Sequence, residues 1–126
     1  MTKILVVEDE THIQRLIKLV LEKHGFTVDA VGTGEEALKF LAETPALPDL
    51  VLLDILMPGI DGLSVLRSIK GNAAHKDIPV VMLTAIAQEN VVLQGIKLGA
   101  KDYIRKPFHP TELVKRLAKH LALPAA

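Results

Sequence analysis

Cysteine is absent from this chain, and only 3% of its residues are aromatic. The absence of cysteine excludes disulfides, thiolate metal sites and a cysteine nucleophile. Neither sign of charge is in excess, because fifteen basic residues balance fifteen acidic ones. Nucleic-acid binding depends on a basic surface, so we expect no direct binding of DNA or RNA by this chain.

Long apolar runs and a leader segment are also missing from the sequence. No apolar run approaches the ~18 residues that span a membrane, and the first residues lack the basic, apolar and small-residue order of a targeting peptide. These features predict a cytoplasmic protein with no membrane association. The chain has 126 residues, 49% of them hydrophobic, and we expect one domain covering residues 1–126.

Short aliphatic runs alternate with segments of helical periodicity along the chain. Three unbroken aliphatic runs are typical of strands covered on both faces: residues 4–7, 50–53 and 80–83. Residues 26–30 alternate between apolar and polar, which predicts a half-exposed strand nearer a sheet edge. A short fifth strand is expected at Tyr103 and Ile104.

Each strand is followed by a segment whose apolar residues have helical spacing. The first helix has a capping-box pattern, Thr11 with Gln14, and is expected to end at Gly25. The start signals of the second, third and fifth helices are, in order, Thr33 with Glu36, Asp61, and Pro110. The fourth helix, expected over residues 88–98, is weaker because Gly95 costs ~1 kcal/mol relative to alanine.

Five strand–helix repeats predict a parallel sheet with right-handed crossovers and helices on both faces. We therefore expect an α/β fold, a single doubly wound (βα)5 flavodoxin-like domain with the strand order 2-1-3-4-5. In such a sheet, ligands bind beyond the carboxyl ends of the strands, at the switch between strands 1 and 3.

Polar side chains stand at the carboxyl ends of four predicted strands: Glu8 and Asp9 after the first, Asp54 at the third, Thr84 at the fourth and Lys106 after the fifth. Three carboxylates in one pocket repel one another, and a hard divalent cation such as Mg²⁺ relieves that repulsion. Lys106 adds a positive charge and Thr84 a donor, which suits a transferring phosphoryl group. Asp54 ends the most buried strand and is the best candidate for a nucleophile that forms an acyl phosphate.

Each of these residues alone has a simpler interpretation. A single acid at a strand end is more often a helix cap or a solvated loop residue. Thr84 alone would be a cap, and Lys106 alone a surface charge. Their convergence on one edge is what indicates a site. The five histidines are dispersed, and we interpret them as surface or capping residues: His12, His24, His75, His109 and His120.

Four segments resemble the receiver domain of bacterial two-component response regulators, and the resemblance covers essentially the whole chain. They are residues 4–10 (ILVVEDE), 49–62 (DLVLLDILMPGIDG), 81–85 (VMLTA) and 99–108 (GAKDYIRKPF). The resemblance implies a signalling switch that accepts a phosphoryl group from a sensor histidine kinase or a phosphotransfer protein. It would act on a downstream protein or output domain, and would catalyse only its own phosphorylation and dephosphorylation.

The resemblance also implies the roles of the acidic residues. Asp54 would be the phosphoacceptor. Asp9, Asp54 and the backbone carbonyl of Leu56 would ligate Mg²⁺, with Glu8 acting through a water molecule.

The remaining implied roles concern the phosphoryl group and the switch. Thr84 and Lys106 would bind the phosphoryl oxygens, and Tyr103 would be the aromatic residue that turns inward when the Thr84 hydroxyl moves. The family also has a cis peptide at the position of Lys106-Pro107.

Two further expectations follow from how this sequence fills the family's variable positions. Leu56 and Ile86 flank the expected path of the attacking water, and neither can orient it, which predicts a long-lived acyl phosphate. Partners are expected to dock on the face made by helix 4, strand 5 and helix 5.

The charge pattern on that face leaves dimerisation open. Asp102, Glu112 and Arg116 match the branch of the family that dimerises through this face. Lys101 replaces an acid there and Val92 replaces a basic residue, so a homodimer formed on phosphorylation is in question.

Two other classes of protein fit the sequence less well. An aspartyl-nucleophile phosphatase would carry a second aspartate where Leu56 stands, and a flavin or nucleotide carrier would have a glycine- or hydroxyl-rich loop after strand 1. A receiver-like interaction module that is never phosphorylated is the nearest alternative. The sequence also leaves open a stand-alone regulator or a receiver fragment of a DNA-binding transcription regulator.

Overall fold

The computed structural model describes residues 2–57, 59, 61–84 and 89–121. Within them, strands and helices alternate in this order: β1 Lys3–Val7, α1 Thr11–Lys23, β2 Thr27–Val31, α2 Gly34–Glu43, β3 Leu50–Asp54, α3 Gly62–Lys70, β4 Val80–Thr84, α4 Glu89–Lys97, β5 Asp102–Arg105 and α5 Pro110–His120. None of the helices in these ranges is both long and apolar enough to cross a membrane.

The five strands form one parallel sheet in the order β2-β1-β3-β4-β5. This order confirms the predicted doubly wound fold. β1 and β3 lie side by side, so Val7 pairs with Leu53 directly before the acidic residues that follow each strand. The alternating strand β2 lies at a sheet edge, as its pattern predicted.

Two hydrophobic clusters, one on each face of the sheet, hold the helices. Successive side chains of a strand point to opposite faces, so Leu5 and Val7 enter one cluster and Ile4 and Val6 the other. The first cluster includes residues of α2 and α3, and the second includes residues of α1 and α5. The unbroken aliphatic strands are therefore covered on both sides.

The helix starts follow the predicted caps, with one exception. Thr33 and Asp61 accept hydrogen bonds from the amides of Glu36 and Ser64, as expected of N-caps. The predicted capping box of α1 was wrong. Thr11 is already helical, and the N-cap residue Glu10 makes no capping hydrogen bond with its side chain. The Gln14 side chain instead donates hydrogen bonds to the backbone carbonyls of Glu8 and Val31.

The interpretation of the histidines was wrong for His75, which is buried with 8% of its surface exposed. The loop between α3 and β4 folds into successive turns, in which Lys76 donates to the carbonyl of Asn72 and Ile78 to that of His75. These turns carry the His75 side chain below the surface. His120 is not merely a surface residue either, since it contacts Asp102.

Candidate functional site

Three carboxylates meet at the carboxyl edge of the sheet. Glu8 and Asp9 follow β1 directly, and Asp54 is the last residue of β3. One carboxylate oxygen from each residue lies within 4.8 Å of the other two. Glu8 and Asp54 are buried, whereas Asp9 is exposed, so the cluster has a solvent-facing side.

Lys106 lies against the two buried carboxylates. Its Nζ is 2.6 Å from Oε1 of Glu8 and 3.3 Å from Oδ2 of Asp54. The contact with Glu8 is an ion pair that is not aligned as a hydrogen bond. Within the described ranges, Oε1 of Glu8 is the buried side-chain oxygen without a hydrogen-bond partner. A buried carboxylate oxygen in that condition is suited to bind a cation or an ordered water.

Backbone contacts hold Lys106 beside β4. Its amide donates to the carbonyl of Thr84 at 2.7 Å, and the Lys106-Pro107 peptide is cis, as the resemblance predicted. Thr84 itself is buried at the end of β4, and the preceding Leu83 pairs with Asp54. The structure thus gathers Glu8, Asp9, Asp54, Thr84 and Lys106 at one edge.

The pKa of the Asp54 carboxyl is raised to about 7, first because burial disfavours its charged form and second because Glu8 lies beside it. Lys106 opposes this rise without cancelling it. For Lys106, burial lowers the pKa, but the contacts with Glu8 and Asp54 outweigh burial and raise it above its usual value. Two neighbouring carboxylates with one lysine thus remain short of positive charge, and a divalent cation would supply it.

The other predicted site residues lie around this cluster. The amide of Leu56 donates to Oδ1 of Asp54 at 3.2 Å, and the Leu56 side chain is 53% exposed. Ile86, the second residue expected to flank the water path, lies outside the described residues. Tyr103 is half-buried in β5 and packs against the first hydrophobic cluster.

Sequence reasoning missed the role of Gln14. Its Nε2 donates to the carbonyls of Glu8 and Val31, both at 3.0 Å, and so fixes the end of β1 to the end of β2. A signal was present in the sequence, because Gln14 precedes Ile17 and Leu21 by three and seven residues and shares their buried helical stripe. A polar residue on that stripe needs a buried partner.

Gly62 was also missed as a residue that shapes the site. A β-carbon at this position would overlap the carbonyl of Asp54 and the Cα of Ile55. The Gly62 amide also donates to the carbonyl of Ile55 at 2.9 Å. The first turn of α3 therefore packs directly on the backbone that carries Asp54.

A second polar cluster joins β5 to α5. Oδ1 of Asp102 is 2.9 Å from Arg116, and Oδ2 is 3.0 Å from Nε2 of His120. Arg116 also donates to the carbonyl of Tyr103 at 3.1 Å. The Asp102 side chain and the Tyr103 carbonyl are thus both bound to α5.

The fold and the site together define an α/β domain with a cluster of three carboxylates at the switch between β1 and β3. A family model described as the response regulator receiver domain matches residues 4–118. The transcriptional regulatory protein ResD of Bacillus subtilis (strain 168) is 45% identical over 116 residues, which are 92% of this chain and 46% of that protein. The chain spans about half the length of the curated relatives it matches.

Two solved structures are similar over nearly the whole chain. The BeF3-activated N-terminal receiver domain of Klebsiella pneumoniae RstA has a TM-score of 0.87 and 36% identity, covering 97% of this chain and 100% of that chain. The receiver domain of a Pseudomonas aeruginosa PAO1 sensor histidine kinase, which has a magnesium ion coordinated in its active site cleft, has a TM-score of 0.87 and 30% identity, covering 97% and 98%.

This chain belongs to the response regulator receiver domain family. Members of this family are two-component signalling regulators rather than conventional enzymes. Aspartyl phosphorylation and Mg²⁺ binding at an acidic site are general features of the family, and its members interact with histidine kinases and output domains.

Proposed function

We propose that this chain is a phosphorylation-dependent switch that accepts a phosphoryl group on Asp54. The observation that carries this proposal is the position of Asp54, which lies buried at the carboxyl edge of the sheet, beside Glu8 and in contact with the Nζ of Lys106. The donor would be a sensor histidine kinase or a phosphotransfer protein, and the proposed place of action is the cytoplasm.

The residues fit Mg²⁺. Three carboxylates with oxygens within 4.8 Å of one another, one of them exposed, match an ion that uses few protein carboxylates and keeps several waters. Asp9, Asp54 and the backbone carbonyl of Leu56 would hold the ion, with Glu8 acting through water. When bound, Mg²⁺ would neutralise charge on the transferring phosphoryl oxygens.

In the proposed transfer, an oxygen of ionised Asp54 attacks the phosphorus of a phosphohistidine. The P–N bond breaks, its electron pair stays on the imidazole, and the imidazole nitrogen then takes a proton from solvent. The product is an acyl phosphate on Asp54. Lys106 and the Thr84 hydroxyl would bind the phosphoryl oxygens, and Lys106 would lose its contact with the Asp54 oxygen that has reacted.

The response to phosphorylation would be a shift between two arrangements of the same chain. Phosphorylation drives such a shift only when the phosphoryl group contacts one arrangement better than the other. Thr84 and Tyr103 are the proposed source of this difference, with Tyr103 turning inward as Thr84 moves toward the phosphoryl group. Since Arg116 holds the Tyr103 carbonyl, the change would reach α5.

The proposed output partner is inferred from the relatives. The relatives that match over about half their length are transcriptional regulators, among them ResD. This supports a receiver that controls a DNA-binding output domain in a longer regulator, while this chain itself makes no contact with DNA. A stand-alone regulator and a module that is never phosphorylated are the alternatives.

The test is to expose the chain to acetyl phosphate with Mg²⁺ and to measure its intact mass. We expect the wild type to gain one phosphoryl group and Asp54→Asn to gain none, because the amide cannot form the acyl phosphate. Asp77→Asn, which removes an exposed acid from the loop before β4, is the matched control and should be labelled like the wild type. Equal labelling of Asp54→Asn and the wild type would refute the assignment.

A further inference from the structure

A histidine stands at each end of helix α5. His109 is the N-cap of the helix, and His120 is its last residue. The eleven residues of α5, at a rise of about 1.5 Å each, separate the two positions by roughly 16 Å along the helix axis. Histidine is the side chain whose charge normally changes between pH 5 and 8. The contacts of each ring decide what that change does to the helix.

The ring of His109 caps α5 only while its Nδ1 carries no proton. This nitrogen accepts a hydrogen bond from the amide of Thr111 at 3.2 Å. A protonated ring nitrogen is a donor and cannot accept. Protonation also adds a positive charge at the helix end where the dipole is already positive. Acid therefore weakens the N-terminal end of α5.

The charged groups around His109 do not offset this effect. The ring is exposed and forms no ion pair with any residue that the structure describes. Glu112, in the first turn of α5, lies 3.6 Å from Arg116, and the Nζ of Lys106 is engaged at the acidic cluster. The neighbouring helix α1 shares with α5 the second hydrophobic cluster, whose members are apolar.

The ring of His120 gains from protonation. Its Nε2 lies 3.0 Å from Oδ2 of Asp102, and 16% of the side chain is exposed. A charged ring makes a stronger hydrogen bond to a carboxylate than a neutral ring does. The added positive charge also suits the C-terminal end of the helix dipole. Acid therefore strengthens the attachment of the last turn of α5 to β5.

Asp102 remains ionised while His120 changes its charge. Burial raises the pKa of Asp102, but its contacts with His120, the Tyr103 amide and Arg116 outweigh burial and hold that pKa below its usual value. The other charged side chains on the surface around His120 are Lys101, Glu112, Lys115, Arg116 and Lys119. Lysine, arginine and glutamate ordinarily keep their charges between pH 5 and 8, so these groups act on His120 as a constant background.

We propose that α5 is a proton-responsive element whose two ends react in opposite directions. Acidification ties its last turn to Asp102 of β5 and releases its N-terminal cap, which follows the segment that carries Lys106. The pH thus shifts order from one end of α5 to the other, and the opposing effects leave the stability of the whole chain little changed. This device operates in the unphosphorylated chain and does not depend on the proposed role of Asp54.

The experiment is urea unfolding of the wild type, His109→Asn and His120→Gln at pH 8 and pH 5.5. Asparagine keeps an acceptor for the cap, glutamine keeps a donor toward Asp102, and neither side chain titrates. Between pH 8 and pH 5.5, the unfolding equilibrium constant relative to the wild type should rise roughly threefold in His120→Gln and fall roughly threefold in His109→Asn. These are sizes expected of one charge at a helix end.

Two further proteins serve as controls. Lys18→Gln, an exposed change on α1, removes a charge that is constant over this range and should give the same ratio to the wild type at both pH values. In His109→Asn/His120→Gln the two pH effects should offset, because sites this far apart act independently. A pH effect of the same sign in both single variants would overturn the proposal. An effect no larger than that of Lys18→Gln in either one would overturn it as well.

Amide hydrogen exchange then locates the effect along the helix. With rates expressed relative to those of an unstructured chain at the same pH, acidification of the wild type should lower the protection of the Thr111 amide and raise that of the Lys119 and His120 amides. The first change should be absent in His109→Asn and the second in His120→Gln. Protection that changes equally at both ends would contradict the proposal, since it would show a general effect of charge on the fold.

Discussion

Gly95 of α4 packs directly on the side chain of Met82 in β4. A β-carbon at position 95 would overlap the sulfur and the terminal methyl of Met82. The glycine that weakens the helix by composition therefore allows α4 to approach the sheet. Helix propensity and packing have opposite effects at this residue, and because Met82 is buried we expect the packing cost to be the larger.

Gly95→Ala is therefore expected to destabilise the chain, although alanine favours a helix by ~1 kcal/mol over glycine. Overpacking a core site costs about 1–3 kcal/mol, and more where backbone must move. Urea unfolding should give a lower free energy of unfolding for Gly95→Ala, whereas Gln94→Ala, on the exposed side of the same helix, should change it by less than about 0.5 kcal/mol. A more stable Gly95→Ala would show that α4 moves away from Met82 at no cost.

Gln14→Met should weaken both the fold and metal binding at the acidic site. Methionine keeps most of the side-chain volume but cannot donate to the carbonyls of Glu8 and Val31. Leaving buried carbonyls without a donor costs about 1–3 kcal/mol, less where they are only part-buried as here, and the segment that carries Asp9 keeps only the backbone hydrogen bond from Glu8 to Val31 as its attachment to β2. Mn²⁺ titration and urea unfolding should both show the loss, while Arg15→Met, exposed on the same helix, should show neither. Unchanged metal affinity in Gln14→Met would contradict the positioning role.

Asp102 should make the stability of the chain depend on acid pH. Burial raises its pKa, but the contacts with His120, the Tyr103 amide and Arg116 outweigh burial, and the net pKa lies below its usual value. A lowered pKa in the folded state means that the contribution to stability is full above the unfolded pKa of about 4 and is lost as the pH falls through the folded value.

The measurement is the difference in unfolding free energy between the wild type and Asp102→Asn. We expect a difference of about 1 kcal/mol or somewhat more at neutral pH, since Asp102 is partly buried and has two charged or polar partners. The difference should shrink when the pH is lowered well below about 4. A difference that stays constant across this range would show that the charge of Asp102 does not contribute.

Polar residues at positions 56 and 86 should shorten the lifetime of the proposed acyl phosphate. The exposed Leu56 side chain lies two residues beyond Asp54 and cannot hydrogen-bond to water. In Leu56→Gln/Ile86→Gln we expect hydrolysis roughly tenfold faster, because a held water attacks more readily. The rate is the loss of phosphoryl mass with time, and Leu47→Gln, exposed at a distance from the site, is the control. An unchanged rate in the double variant would refute this explanation of the lifetime.

Local patterns in the sequence were enough to predict the sheet order and the gathering of the polar residues. Aliphatic runs identify buried strands, and parallel topology brings the carboxyl ends of those strands to one edge. Glu8, Asp54 and Lys106 could therefore be predicted as neighbours without knowledge of any contact. The cis peptide at Lys106-Pro107 came from the resemblance alone.

The features that could not be predicted are contacts between segments that are distant in sequence. Gln14 has a capping pattern, but its amide reaches Val31 across the sheet edge. From the sequence, Gly95 is only a weak helix position. Its contact with the Met82 side chain is seen only in the structure. The contact of His120 with Asp102 also joins residues far apart along the chain, so periodicity and spacing carry no sign of it.

The sheet order has a consequence for how the chain is completed during synthesis. β1 emerges first and lies in the interior of the sheet, while β3, β4 and β5 are added outward from it in turn. A nascent chain that ends before β5 would already contain the three carboxylates but not Lys106, which joins them last. Because domains generally fold as units, the three carboxylates and their lysine would come together only after β5 has emerged from the ribosome, and chemistry that needs both must wait for that step.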